Sequence, residues 1–120
     1  IICPYMKPLT QLVVDYIESE GIEVQDFMAL EIPDNLTVAA QDPNAPAELW
    51  KKLDVSGIDA IVASACVQMP SQSSIETIEK ASGLPTLSAA VATTSSILKT
   101  LKLDPVAPGG GALLVTRETV

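Results

Sequence analysis

The chain reads as an α/β fold, an open parallel sheet flanked by helices in a half-Rossmann or flavodoxin-like layout. Three observations predict it. Short apolar runs alternate with amphipathic stretches along the whole length, as repeated strand–helix units do. Hydrophobic residues make up 48% of the 120 positions while aromatics supply only 3%, so Val, Ile, Leu and Ala must build the core, which suits a sheet covered on both faces. No internal repeat or low-complexity tract breaks the alternation, and the length suits a single domain over residues 1–120.

The elements follow in order. Ile1–Pro4 reads as the end of a strand. Leu9, Leu12, Val13, Tyr16 and Ile17 mark one face of a helix, and Gly21 stops it. Ile22–Leu30 reads as a strand, with the turn residues Pro33, Asp34 and Asn35 beyond it. A helical region lies within 36–54, punctuated by Asp42-Pro43-Asn44-Ala45-Pro46, and Ala47–Leu53 is its firmest part. Gly57 precedes a strand over Ile58–Ser64. Ser71 or Ser73 can cap the next helix, which presents Ile75 and Ile78 and ends at Gly83. Leu84–Leu87 is a short strand around Pro85. Ala90–Leu101 is the last strong helix, with Ile97, Leu98 and Leu101 expected to face inward. The tail after Pro105 carries Gly109-Gly110-Gly111 and an apolar ALLV stretch.

Composition excludes several function classes. The formal net charge is −8 and the largest basic cluster is the pair Lys51-Lys52, so the footprint of a nucleic-acid binder is missing. An anionic substrate would be repelled at long range and must be held by short-range donors. No apolar run reaches the ~18–20 residues that span a bilayer. Two cysteines cannot build a secreted disulfide framework, which favours a reducing, cytoplasmic setting. Histidine is absent, so this chain alone offers no Ser-His-Asp triad, no Cys-His pair and no histidine-rich metal site. The chain begins at Ile1, and IICPY reads as strand rather than leader. We therefore expect a fragment whose amino-terminal half is missing.

Candidate chemistry centres on Ile58–Ile75, IDAIVASACVQMPSQSSI. There a strand ends in small residues, presents Cys66, and turns through Gln68, Met69 and Pro70 toward a helix. The carboxyl end of a parallel strand near a helix start is where open α/β sheets bind ligands, and a thiolate is stabilised there. Position alone leaves Cys66 equally a buried small hydrophobe. Val67, Gln68 and Met69 can offer backbone N–H groups to a carboxylate, or form an ordinary turn. Tyr5, on residues alone, is a boundary aromatic with a wet hydroxyl. Asn35 alone reads as turn chemistry. Thr93 and Thr94 can line the same strand-end crevice, or their small size permits close helix–sheet packing. Cys3 reads as strand filler, and the glycine run lacks the Gly-Lys-Ser/Thr ending of a phosphate loop.

ACVQMPS at 65–71, LPTLSAAVATT at 84–94, PVAPGGGALL at 105–114 and PYMKPLT at 4–10 together resemble the carboxyl-terminal half of maleate cis-trans isomerases. These belong to the aspartate/glutamate racemase superfamily, with arylmalonate decarboxylases as cousins. The resemblance implies one half of a two-half racemase-like fold with the active site between the halves. It implies cofactor-independent isomerisation of maleate to fumarate, with no metal and with Cys66 as one of two facing catalytic cysteines. Tyr5 would donate to a substrate carboxylate or an enolate-like intermediate, and Asn35 would bind a carboxylate through its amide. The partners it implies are a small dicarboxylate, the missing amino-terminal half and a homo-oligomer. Two alternatives stand beside this: a decarboxylase or racemase of the same superfamily, and a non-catalytic flavodoxin-like ligand-binding or thiol-sensing module.

Overall fold

The computed structural model describes residues 1–115. Four parallel strands form the centre: β1 (Ile2–Cys3), β2 (Met28–Ala29), β3 (Ile61–Ser64) and β4 (Thr86–Ser88). β1 pairs with β2, and β3 pairs with β4. These are two two-stranded parallel sheets; the N–H of Ala65 donates to the carbonyl of Ile2 at 2.9 Å and lays β1 beside β3, so the strands follow the order β2-β1-β3-β4. The expected α/β architecture is present.

The strands are shorter than the apolar runs suggest. β2 covers two of the nine residues of Ile22–Leu30 because its partner β1 offers only two pairing positions. Residues before it are satisfied by side chains instead. The Gln25 amide donates to the carbonyls of Asp54 and Ser56 at 3.0 and 2.9 Å, and the Asp26 carboxylate accepts from the N–H of Asp54 at 2.8 Å. β3 likewise begins at Ile61 rather than Ile58. β4 begins after Pro85, whose carbonyl accepts from the N–H of Ile61, and it reaches Ser88 rather than stopping at Leu87.

Helix α1 spans Lys7–Ser19 and ends before Gly21, whose φ of +88° suits the residue beyond a helix stop. Its buried line is Thr10 and Val14, while Leu9, Leu12 and Tyr16 are exposed. The apolar face expected there is therefore only half covered, by Val13 and Ile17. The 36–54 region holds α2 (Asn35–Ala39) and α3 (Pro46–Leu49), the latter running into a 3-10 turn at Trp50–Lys52. The Asp34 carboxylate caps α2 by accepting from the N–H of Leu36 at 3.2 Å.

Helix α4 (Gln72–Ser82) packs against α3 and β4. Ser71 occupies its cap position without a capping side-chain bond, and Ser73 turns away to donate to the Asn44 amide oxygen at 2.7 Å. Ile75 and Ile78 join Ile61 and Ala63 in one buried cluster. Helix α5 (Ala89–Thr100) is capped by Ser88, and it buries Val91 and Ser95. Ile97 and Leu101, expected inside, are exposed, because small residues on the inner line bring the helix close to β4 and turn the larger ones outward. The strap that follows ends in a 3-10 turn at Ala112–Leu114, which packs on β4 and α5.

Candidate active site

The strand order places a topological switch point between β1 and β3. From β1 the chain crosses to β2 on one side, and from β3 it crosses to β4 on the other. Ligands of open α/β sheets bind outside the carboxyl ends of the strands at such a point. Tyr5 lies just beyond β1, and Cys66 just beyond β3.

The two side chains share one apolar cluster. Cys66 is part of a buried cluster with Ile2, Val38, Leu53 and Met69, and the half-buried Tyr5 ring packs against that cluster. Cys66 is buried, with 9% of the residue exposed, as a member of the apolar core. Burial first, then the proximity of the Cys66 thiol and of Cys3, push the Tyr5 phenol up to about 12. The phenol therefore keeps its proton at neutral pH and stands ready as a donor. Burial also raises the Cys3 thiol to about 11, which keeps that cysteine neutral.

After Cys66 the chain makes a loop into α4. Val67 and Gln68 are exposed, whereas the Met69 side chain is buried in the core below. Among the described residues, the backbone N–H groups of Val67, Gln68 and Met69 find no protein acceptor. Three unpaired donors beside a thiol can hold one carboxylate without a cationic side chain.

Asn35 is exposed at the first position of α2, beyond β2. Its amide makes no hydrogen bond among the described residues. The segment leading to it runs beside the Tyr5 backbone: Leu30, Glu31 and Ile32 donate their N–H groups to the carbonyls of Cys3, Tyr5 and Pro4. Glu31 turns there with φ +56°, a left-handed conformation uncommon in a residue with a side chain. Thr93 and Thr94 are exposed on α5.

Two features escaped the sequence reading. One is the Glu31 turn, for which composition carries no signal. The other is Ser64, wholly buried, whose hydroxyl accepts from the N–H of Cys66 at 3.4 Å. Its place under the loop depends on the register slip between β3 and β4, for which the sequence carries no local signal.

Concavity lies elsewhere. A cavity of about 320 Å³ is lined by Glu76, Glu79 and the 106–115 strap, and one of about 470 Å³ by Lys7, Gln11 and Phe27. Neither includes Tyr5, Asn35 or Cys66. The Tyr5–Cys66 pair thus lies outside both of these cavities.

Comparison with known proteins follows the same lines. The arylmalonate decarboxylase family model matches residues 1–114. A maleate isomerase of Pseudomonas putida is 54% identical over 114 residues, which are 95% of this chain and 46% of that protein. A crystal structure of the maleate isomerase Iso from Pseudomonas putida S16, a cysteine-to-alanine variant with maleate, superposes with a TM-score of 0.91 at 54% identity, covering 93% of this chain and 45% of that one. A Nocardia farcinica maleate cis-trans isomerase, a cysteine-to-serine variant with a covalently bound succinylcysteine intermediate, superposes at 0.90 with 44% identity, covering 93% and 46%. The chain spans about half the length of the curated relatives it matches.

Proposed function

We propose, from the premise that the chain belongs to the arylmalonate decarboxylase family, that it supplies one half of an enzyme converting maleate to fumarate without a cofactor. The observation that carries this reading is the Tyr5–Cys66 pair at the switch point, flanked by the unpaired N–H groups of 67–69. Relatives more than half identical to the chain are maleate isomerases, which favours isomerisation over decarboxylation or racemisation. Kinship to enzymes likewise disfavours a non-catalytic module.

The chemistry needs two thiols. A thiolate adds to one alkene carbon, forming a C–S bond as the π bond opens, and the carbanion at the neighbouring carbon takes a proton from the second thiol. The succinyl thioether turns about what is now a single bond. Return of that proton to the second sulfur and expulsion of the first thiolate restore the double bond in the trans geometry. Cys66 performs one of the two roles, and a cysteine of the missing half performs the other. The carbanion delocalises into the adjacent carboxylate, and a protonated Tyr5 donating to it stabilises that charge. The 67–69 N–H groups and the Asn35 amide hold the carboxylates at short range, as a chain of net charge −8 requires.

The rest of the reading concerns assembly and place. The second half of the same protein closes over these strand ends, and the whole acts as a homo-oligomer. The relatives' length supports the first point, and the exposed Leu9, Leu12 and Tyr16 of α1 support further assembly. The free thiols favour the cytoplasm, and no helix among the described residues is long and apolar enough to cross a membrane.

The test is Cys66→Ala in the full-length protein. Fumarate formation, followed by absorbance, should fall by at least on the order of 10³-fold while calorimetry still registers maleate binding. Turnover at the parent rate would remove Cys66 from the mechanism.

A further inference from the structure

Cys66 stands outside the β ladder, so something else must hold it. Between β3 and β4 the register slips: Val62 pairs with Leu87 and Ser64 with Ser88, which leaves Ala63 as an extra residue on β3. A bulge of this kind redirects the side chains that follow it. Here it ends the strand at Ser64 and sends the serine hydroxyl up under the loop.

That hydroxyl is 0% exposed and satisfied wholly by the loop backbone. Its oxygen accepts from the N–H of Cys66 at 3.4 Å. Its single proton goes to the carbonyl of Cys66 at 2.7 Å, with the carbonyl of Met69 at 3.3 Å as the longer alternative. Among the described residues no other donor reaches either carbonyl.

We propose that Ser64 is a positioning residue for the reaction. One hydroxyl closes the 64–66 turn, accepting from the Cys66 N–H and donating to the Cys66 carbonyl, with the Met69 carbonyl as the alternative acceptor. The start of the loop is thereby pinned from below, and the thiol is held in the apolar cluster against which Tyr5 packs. The inference rests on Cys66 being the reacting thiol. Its physical basis is that removing a buried hydroxyl strands the Cys66 N–H and carbonyl without partners. The loop then turns its peptides to find new ones, and the sulfur moves with them. Displacement of a reacting atom by about 1 Å can cost on the order of 10²-fold in rate.

The test uses the full-length protein, with Ser64→Ala and Ser64→Thr beside wild type. The readouts are kcat and KM for maleate, the rate of iodoacetamide labelling located on Cys66 by mass spectrometry, and circular dichroism. In folded Ser64→Ala, kcat should fall on the order of 10²-fold while KM changes less than about fivefold, and labelling should change by about tenfold. Ser64→Thr, which keeps the hydroxyl, should return kcat to within about tenfold of wild type. A folded Ser64→Ala with wild-type kcat and labelling would overturn the assignment, as would a loss that folded Ser64→Thr does not restore. Should Ser64→Ala not fold, Ser64→Thr alone decides. Wild type that labels at Cys66 but converts no maleate would fault the isomerase reading, and the labelling comparison would still judge Ser64.

Discussion

Two protonated groups beside the switch point make the molecule sensitive to alkali. The Cys3 thiol is raised from 9.0 to about 11 and the Tyr5 phenol from 10.0 to about 12, in both cases chiefly by burial. Each folded-state value lies above the unfolded one, so the folded state holds these protons more tightly. The stability they contribute is fully present below pH 9 and is lost as pH rises, through about 11 for Cys3 and about 12 for Tyr5. Urea unfolding at stepped pH should therefore give a midpoint that is steady near neutrality and falls above pH 9, and Cys3→Ala should delay the onset. A midpoint unchanged up to about pH 11 would contradict the burial of both groups. The strand-end position of Cys66 was readable from the residues, because a short apolar run closing in small residues is a local pattern, whereas the interest of Tyr5 came only from the family resemblance. The role of Ser64 was not readable, because it depends on a bulge that only the pairing of β3 with β4 creates.

At the scale of elements, the glycine run shows how a loop signal becomes a packing requirement. Gly111 has φ +76°, and a Cβ there would lie 2.6 Å from Ile75 Cγ2 and 3.0 Å from the Thr86 carbonyl. The strap is clasped at that point, since the Glu79 carboxylate accepts from the N–H groups of both Thr86 and Ala112, at 3.0 and 2.8 Å. Gly83 has a similar φ of +73° but open space around it. Gly83→Ala should therefore cost about 1 kcal/mol in backbone strain alone. Gly111→Ala should cost that and about 1–3 kcal/mol more for the steric conflict. Equal losses for the two in urea unfolding would show that the strap moves aside freely. Helix stops at Gly21 and Gly83 were legible because φ > 0 favours one residue type. Strand lengths and the inner faces of α1 and α5 were not, because both depend on neighbours. An apolar run pairs only as far as its partner strand extends, and α5 buries Val91 and Ser95 while Ile97 and Leu101 face solvent.

Over the whole molecule, the groups proposed to hold a dicarboxylate lie at the strand ends and outside both described cavities. The thiol, the phenol and the 67–69 donors flank the carboxyl ends of β1 and β3, yet the described cavities are elsewhere. Preorganised donors act strongly only where water is excluded, and a thiol adding to an alkene needs a second group to protonate the adjacent carbon. Neither condition is met by a chain half the length of its relatives. The purified 120-residue chain should thus form no measurable fumarate from maleate. Adding the separately produced second half should restore turnover in proportion to complex formed, saturating at a one-to-one ratio. Steady turnover by the 120-residue chain alone would mean that Tyr5, Cys66 and the 67–69 loop suffice without the second half. The two-thiol mechanism would then give way to one in which solvent returns the proton.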